Sequence, residues 1–354
     1  MCSSKKFVLV YKSSIQVLED YIDSLNIFKE VMELEDFAKR YKEYLSPEVV
    51  VVFTQMWLDL ENFSSEIYSA PNFIFLNVEN LTEQKRMDHI MQFVIRGVKI
   101  ADYSVANIHV IKTYAEENNI DIKAPIYYFP YQYNKKENVL LENRERQYQY
   151  DVGVVNACPK KDSSVNAALT YKRTKVWEDL EFSGLSCLNI LGWGAERDEL
   201  IKKCKVIVNV HHFECYKIFQ HIRCDRLIFA NKLIVSENSL CVNDLDIKNH
   251  VLWSDYKDLV ETAKKAVDNF DHYMNILTNM ETTGIAVGRA RSLEQTICDI
   301  EKITGWDWLE GFDIDYVYIH GCIYVTWLDF IMYVACIWAR WTQTISLTYS
   351  LFDY

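Results

Sequence analysis

The chain alternates between short apolar runs and longer segments in which apolar residues recur at helical spacing. Residues 49–53 are almost entirely valine, a composition typical of a central strand that is covered on both faces of a parallel sheet. Residues 7–11 and 73–78 are similar apolar runs. Helical segments with short connections separate such runs, so the sequence predicts an α/β fold with parallel, doubly wound sheets.

The same alternation is repeated in the second half of the chain. The 354 residues exceed what one ordinary core needs and suit two domains. We predict a Rossmann-like domain over residues 1–140 and a second over residues 150–303, joined by the polar segment 142–149. Two such domains in series form a cleft between the carboxyl ends of their strands, where ligands bind in these sheets.

Several helices are predicted from spacing and capping. Apolar residues recur every three or four positions across residues 14–44, which predicts one or two helices. Residues 256–279 predict one long helix. Thr82 is the predicted N-cap of a helix over residues 82–96, and Ser104 that of a helix ending near residue 117.

Composition excludes some classes of function. The net charge of −12 repels phosphate backbones, which argues against a nucleic-acid partner. The ten cysteines form no pair or His-containing cluster with zinc spacing, so we expect no metal site. The chain shows no signal-peptide pattern at its start, and we expect reduced thiols in the cytoplasm.

The last fifty residues, 305–354, form an apolar and aromatic tail. Residues 317–341 are long enough to span a bilayer, which needs about 20 apolar residues, but His320 and Asp329 lie inside them. Three interpretations stay open: a tail that associates with a membrane, a helix packed on the body, and poorly ordered sequence.

A glycine turn marks the second half. Gly192-Trp193-Gly194 lies between a predicted strand and a helix, and Arg197 follows. Glycines there would let the backbone approach a ligand, and the helix start offers free N–H groups to phosphate. The alternative is an ordinary tight turn. The next predicted strand ends at Val210, His211 and His212 follow it directly, and Arg223 lies in the helix after it.

The order of these motifs resembles the nucleotide-binding half of GT-B fold glycosyltransferases, in a branch common in large DNA viruses and bacterial surface-polysaccharide clusters. Segments 77–82, 102–107 and 129–132 resemble motifs of the first half of the same enzymes. The resemblance covers roughly residues 73–237. It implies a nucleotide-sugar donor on the second domain, a glycan or glycoprotein acceptor on the first, and transfer without a bound metal. It also implies a C-terminal helix, near residues 289–303, that crosses back to the first domain.

The donor-binding candidates combine the motif residues with nearby polar groups. Arg223 matches the motif arginine and could neutralise the departing diphosphate, whereas we interpret Arg226 as structural. Either His211 or His212 could hydrogen-bond a phosphate or a sugar hydroxyl. Lys160 and Arg173 are weaker candidates, since surface charge explains both. The full donor set is Gly192, Trp193, Gly194, Arg197, His212, Glu214, Lys217, Gln220 and Arg223.

The catalytic candidates are Glu79, Asp102 and His211. Either carboxylate could accept the proton of the incoming hydroxyl, although Asp102 could instead cap a helix. Trp57, Tyr103 and Tyr131 could stack on an acceptor sugar, but most aromatic side chains belong to cores.

Two positions depart from the resembled pattern. Gln220 replaces a common glutamate that holds the donor ribose in related transferases, and Lys232 replaces a glycine. Glutamine still bonds a hydroxyl but lacks a carboxylate's charge-assisted strength. A non-catalytic GT-B-like module that binds a glycan or partner is therefore the second hypothesis. The third hypothesis is a Rossmann-type oxidoreductase or epimerase. It is weaker than the other two, because no G-x-G-x-x-G motif follows the first strand.

Overall fold

The computed structural model describes residues 5–12, 15–54, 70–134, 148–155, 167–279 and 282–310. Residues 1–304 form one compact unit, and only residues 305–310 of the second unit, 305–354, are described. The apolar segment 317–341 and most of the predicted linker lie outside these ranges. Within them, no helix combines the length and the apolar character that a membrane crossing requires.

The first sheet has six parallel strands in the order β2-β1-β3-β4-β5-β6. Residues 7–10 and 50–54 are buried, as expected of strands covered on both faces. The strands are β1 (Lys6–Tyr11), β2 (Phe28–Glu33), β3 (Val49–Thr54), β4 (Phe73–Asn77), β5 (Lys99–Asp102) and β6 (Ile126–Tyr128).

The second sheet has five parallel strands in the order β11-β10-β9-β7-β8. The prediction of two parallel α/β sheets is therefore confirmed. The strands are β7 (Tyr150–Val155), β8 (Cys187–Ile190), β9 (Cys204–Asn209), β10 (Leu233–Glu237) and β11 (Leu252–Ser254).

Ten α-helices and several 3-10 turns occupy the described connections. The helices are α1 (Glu19–Leu25), α2 (Leu34–Arg40), α3 (Gln84–Ile95), α4 (Val105–Glu117), α5 (Ala167–Phe182), α6 (Gly194–Lys202), α7 (His221–Phe229), α8 (Leu259–Asp268), α9 (Phe270–Asn279) and α10 (Thr282–Glu310). The 3-10 turns are Ile15–Val17, Tyr41–Tyr44, Val242–Asp244, Lys248–His250 and Tyr256–Asp258.

Each sheet contains one point where the winding direction reverses. In the first sheet the chain leaves β1 for β2 on one side and then returns to β3 on the other. In the second sheet the chain leaves β7 for β8 on one side and then returns to β9 on the other. Parallel sheets bind ligands at the carboxyl ends of the strands beside such a point. Tyr11 and Thr54 are neighbours at that position in the first sheet.

The prediction of only helices over residues 14–44 is wrong, because β2 lies within that range. Asn26 adopts a left-handed conformation, with φ of 49°, and ends α1. Asparagine tolerates this conformation better than most residues. The next residues pair with β1 as an edge strand.

The predicted helix over residues 256–279 is divided in two at Asn269. This residue lies between α8 and α9, and its side-chain amide donates to the carbonyl of Lys265. Such local bonds compete with the helical ones.

The two N-cap predictions had different outcomes. Ser104 does occupy the N-cap of α4, whereas Glu83 and not Thr82 occupies the N-cap of α3.

The C-terminal helix α10 crosses back onto the first sheet, as the resemblance implied. Leu293 and Ile300 are buried in a cluster with Phe7 and Leu9 of β1. The Thr296 hydroxyl donates to the carbonyl of Tyr128 at 3.2 Å. The helix that follows the second sheet thereby completes the core of the first.

Arg289 of α10 ties both halves to this helix. Its guanidinium donates to Asp225 of α7 at 2.7 Å and to both carboxylate oxygens of Asp246, at 2.7 and 2.8 Å. It also donates to the carbonyl of Tyr131, which follows β6, at 3.1 Å. The Arg289 and Asp225 side chains are 2% and 1% exposed, so the bond between them is shielded from water, whereas Asp246 is 40% exposed.

We predict that Arg289→Met lowers the free energy of unfolding by about 3–5 kcal/mol, because Asp225 would remain buried without its cation. Arg291 is exposed on the same helix. The matched variant Arg291→Met should therefore change the stability by less than about 0.5 kcal/mol. Urea unfolding followed by circular dichroism compares the two. Equal effects would contradict a structural role for the Arg289 cluster.

Candidate functional site

A cavity of about 380 Å³ lies at the carboxyl ends of strands from both sheets. Tyr11 and Thr54 reach it from the reversal point of the first sheet, and Val155 from that of the second. Its volume falls in the range of small-molecule sites, roughly 300–1,000 Å³. The fold thus places a ligand-sized space where parallel sheets bind ligands.

Five of the predicted site residues line this cavity. Glu79 comes from the loop after β4, and the other four come from the second half of the chain. Tyr103, which was considered as an acceptor-stacking residue, also lines it. The four lining residues of the second half are Trp193, Arg197, Gln220 and Arg223.

Arg223 has no ion pair or side-chain hydrogen bond within the part of the chain that the structure describes. Burial lowers its pKa, and the nearby Arg197 lowers it further. Arg226, one turn later, is instead bonded twice to Asp198, at 2.8 and 3.0 Å, and to Asp20 at 3.0 Å. These contacts agree with a structural Arg226 and leave Arg223 available to a ligand.

Other arginines add to the positive potential around Arg223. Arg173 of α5 is buried, donates to the carbonyl of Val210 at 3.0 Å, and has its pKa lowered by burial and then by Arg223. Burial, Arg173, Arg223 and Arg86 together lower the pKa of His212 to about 4. His212 is therefore a neutral imidazole at pH 7. An anion bound here would relieve the repulsion between the arginines.

The other arginines near the cavity have carboxylate partners. Arg86 pairs with Glu79 and, at 2.7 Å, with Glu83. Its guanidinium lies 5.2 Å from the centre of the Tyr216 ring, which also lines the cavity. Arg197 pairs with Asp20. Among the described residues, Arg223 is thus the lining arginine whose charge no carboxylate offsets.

The glycine turn has the local geometry that the sequence predicted. Gly192 and Gly194 have φ of 87° and 59°, a region that favours glycine, and α6 begins at Gly194. Neither glycine lines the cavity, but the turn projects Trp193 into it. The Arg197 guanidinium lies 5.8 Å from the centre of the Trp193 ring.

Three other predicted residues do not line the cavity. The backbone N–H of His211 donates to Glu237 at 3.1 Å, and its buried ring lies 3.1 Å from the carbonyl of Asn238. Burial lowers the pKa of His211. Glu214 and Lys217 are exposed at the surface. His212 is also outside the lining set, and burial followed by the nearby arginines lowers its pKa.

Asp102 is fully buried and does not line the cavity either. Burial raises the pKa of its carboxyl group to about 7, while hydrogen bonds from Asn77 and Asn107 oppose that rise. Of the aromatic candidates, Tyr131 is fully buried and stacks on Tyr21 and Phe229. Trp57 and Lys160 lie outside the described residues.

The two departures from the resembled pattern lie in different places. Lys232 precedes β10, at the opposite end of the strand from the cavity, and its ammonium lies 5.2 Å from the centre of the Tyr148 ring. Gln220 lines the cavity, and its buried Oε1 has no hydrogen-bond partner in the described structure. Only Gln220 can therefore affect ligand binding directly.

Sequence reasoning missed several lining residues and undervalued Arg173. Tyr11 and Thr54 are the last residues of β1 and β3, so the strand order would have identified them. Nothing in the local sequence distinguishes Arg86 or Tyr216 from surface residues. No group of three or more His, Cys, Asp or Glu side chains in the described ranges is arranged to hold a metal ion.

No family model matches the chain. It is 29% identical over 272 residues to the uncharacterized protein L137 of Acanthamoeba polyphaga mimivirus, covering 74% of this chain and 33% of that protein. It is 32% identical over 219 residues to L138 of the same virus, covering 61% of this chain and 22% of that protein. The chain thus spans a third or less of the length of these two relatives.

Two solved structures are similar at low identity. The Anabaena HepE protein in complex with UDP has a TM-score of 0.47 and 8% identity, over 86% of this chain and all of that chain. A UDP-forming α,α-trehalose-phosphate synthase from Burkholderia vietnamiensis has a TM-score of 0.42 and 7% identity, over 87% of this chain and 99% of that chain.

We predict that a diphosphate anion bound among the arginines raises the pKa of His212 from about 4 toward its ordinary 6.5. The anion would offset the charges of Arg173, Arg223 and Arg86 that disfavour the imidazolium. NMR titration of the histidines with and without UDP measures this change. His109, exposed on α4, serves as the control and should not respond. If bound UDP leaves the pKa of His212 unchanged, the diphosphate does not bind among these arginines.

Proposed function

We propose that the chain is a glycosyltransferase that moves a sugar from a nucleotide-diphosphate donor to a glycan or protein-linked acceptor. The observation that carries the proposal is Arg223, a cation without a carboxylate partner in the described structure, at a cavity between the carboxyl ends of two parallel sheets. A partly buried cation without a partner is costly, and a diphosphate supplies the missing charge.

The second half would bind the donor. Arg223, supported by Arg173, would neutralise the charge that develops on the diphosphate as the sugar leaves. These arginines would take the part that a divalent cation plays elsewhere, so the proposed transfer uses no metal. Gln220 offers its unpartnered Oε1 to a donor hydroxyl, and Trp193 offers an aromatic face.

The first half would bind the acceptor. Glu79 is the carboxylate that lines the cavity from this side, and it would accept the proton of the attacking hydroxyl. Its side chain is held beside Arg86 by an ion pair. Tyr103 lines the same side and would pack against the acceptor.

A non-catalytic GT-B-like module that binds a glycan or partner is the second candidate. Gln220 favours it, because glutamine gives a donor hydroxyl a weaker bond than a carboxylate does. The two candidates differ in whether a nucleotide sugar is bound and turned over.

The test combines thermal stabilisation and hydrolysis across UDP-, GDP- and ADP-sugars. We expect one nucleotide series to raise the melting temperature and one of its sugars to be hydrolysed slowly. Binding without any turnover would favour the non-catalytic module. The absence of binding to every nucleotide sugar would rule out both the donor site and the enzyme.

Within the series that binds, Arg223→Ala should weaken nucleotide affinity about 10- to 100-fold, since hydrogen bonds to charged groups contribute about 1.5–3 kcal/mol. The exposed Arg291 offers a matched control, and Arg291→Ala should leave affinity unchanged. Isothermal titration calorimetry measures both variants. Equal affinities for Arg223→Ala and the wild type would remove Arg223 from the donor site.

A further inference from the structure

Three residues of the first-half motifs form one buried hydrogen-bond cluster. The parallel register of β4 and β5 places Asn77 beside Asp102 at the carboxyl ends of the two strands. Asn107 reaches the same carboxylate from the first turns of α4. All three side chains are at most 3% exposed, so water does not compete for their bonds.

The carboxylate of Asp102 accepts from three donors. The Asn77 amide donates to one oxygen at 2.6 Å, and the Asn107 amide donates to the other at 3.0 Å. The backbone N–H of Ser104 donates to that second oxygen at 2.8 Å. Both carboxyl oxygens of Asp102 accept in these three bonds, so they turn the NH₂ groups of both asparagines toward themselves.

This orientation points the amide oxygens at the loop after β4. The oxygen of Asn77 accepts from the Glu79 N–H at 3.2 Å, and that of Asn107 accepts from the Leu81 N–H at 3.1 Å. The same two NH₂ groups also donate to the Glu79 carbonyl, at 3.0 and 2.8 Å. The backbone on both sides of Glu79 is therefore held by amides that Asp102 orients.

The loop over residues 78–83, here called the bridging loop, also contacts the second half. The Asn80 amide donates to the carbonyl of Ile218 at 3.2 Å. The Thr82 hydroxyl accepts from the backbone N–H of Lys217 at 3.0 Å. These contacts fix the bridging loop relative to the segment that leads into Gln220 and Arg223.

We infer that Asp102 is a positioning residue, which sets the amide orientations of Asn77 and Asn107 and so holds Glu79 at the cavity. The inference rests on the proposed function for the role of Glu79, but the hydrogen-bond chain itself does not. The substitution Asp102→Asn would keep nearly the same side-chain shape, yet it would present an NH₂ group to donors and leave one of them unpaired.

The test compares Asp102→Asn with Ser104→Ala at the same buried site. The Ser104 hydroxyl has no hydrogen-bond partner in the described structure, so its removal spares the cluster. Hydrogen exchange reports on the Leu81 amide, which Asn107 holds. We expect Asp102→Asn to speed this exchange about tenfold, as loss of one buried bond implies, and Ser104→Ala to leave it unchanged.

The second readout separates positioning from general stability. UDP affinity should stay within about twofold in Asp102→Asn, because Arg223 is untouched, while hydrolysis of UDP-glucose should slow about 10- to 100-fold. If Asp102→Asn does not fold, Asn77→Ala removes one amide of the chain and should produce the same separation of turnover from affinity.

Several outcomes would overturn the inference. Unchanged exchange at Leu81 in Asp102→Asn would show that the carboxylate does not hold the bridging loop. Parallel loss of UDP affinity, turnover and global stability would show a merely structural residue. If the wild type neither binds UDP nor hydrolyses UDP-glucose, the proposed function fails. The hydrogen-exchange comparison at Leu81 then still decides whether Asp102 positions the bridging loop.

Discussion

The buried ion cluster around Arg289 is the interaction on which the arrangement of the two sheets depends. One guanidinium joins α10 to Asp225 and Asp246 of the second half and to the Tyr131 carbonyl of the first. A buried charge of this kind persists only when its partners are in place. Because the halves are fixed in this way, the carboxyl ends of both sheets share one cavity.

Some arginines near that cavity are paired with carboxylates, and one is not. Arg226 and Arg197 are used to join the halves through Asp20, whereas Arg223 has no carboxylate among the described residues. Burial, and then the charges of Arg173, Arg223 and Arg86, lower the pKa of His212 beside them. The site is thus local and cationic within a chain of net charge −12, which suits a small anionic ligand better than a nucleic acid.

The sequence was sufficient for features that depend on local patterns. Buried strands such as residues 49–53 and the glycine turn at 192–194 followed from residue type alone. The edge strand β2 did not, because its half-exposed pattern also fits a helix. Asp102 was considered as a base or a cap, but its actual partners depend on the register of β4 and β5. Arg173 was undervalued since burial cannot be read from one helix.

The central claim is that a nucleotide diphosphate occupies the cavity with its phosphates on Arg223. A crystal structure of the chain with UDP tests it most directly. We predict phosphate oxygens within hydrogen-bond distance of the Arg223 guanidinium, about 2.7–3.2 Å, and the nucleoside between Trp193 and Gln220. A nucleotide bound elsewhere, with Arg223 paired to a protein carboxylate, would contradict it.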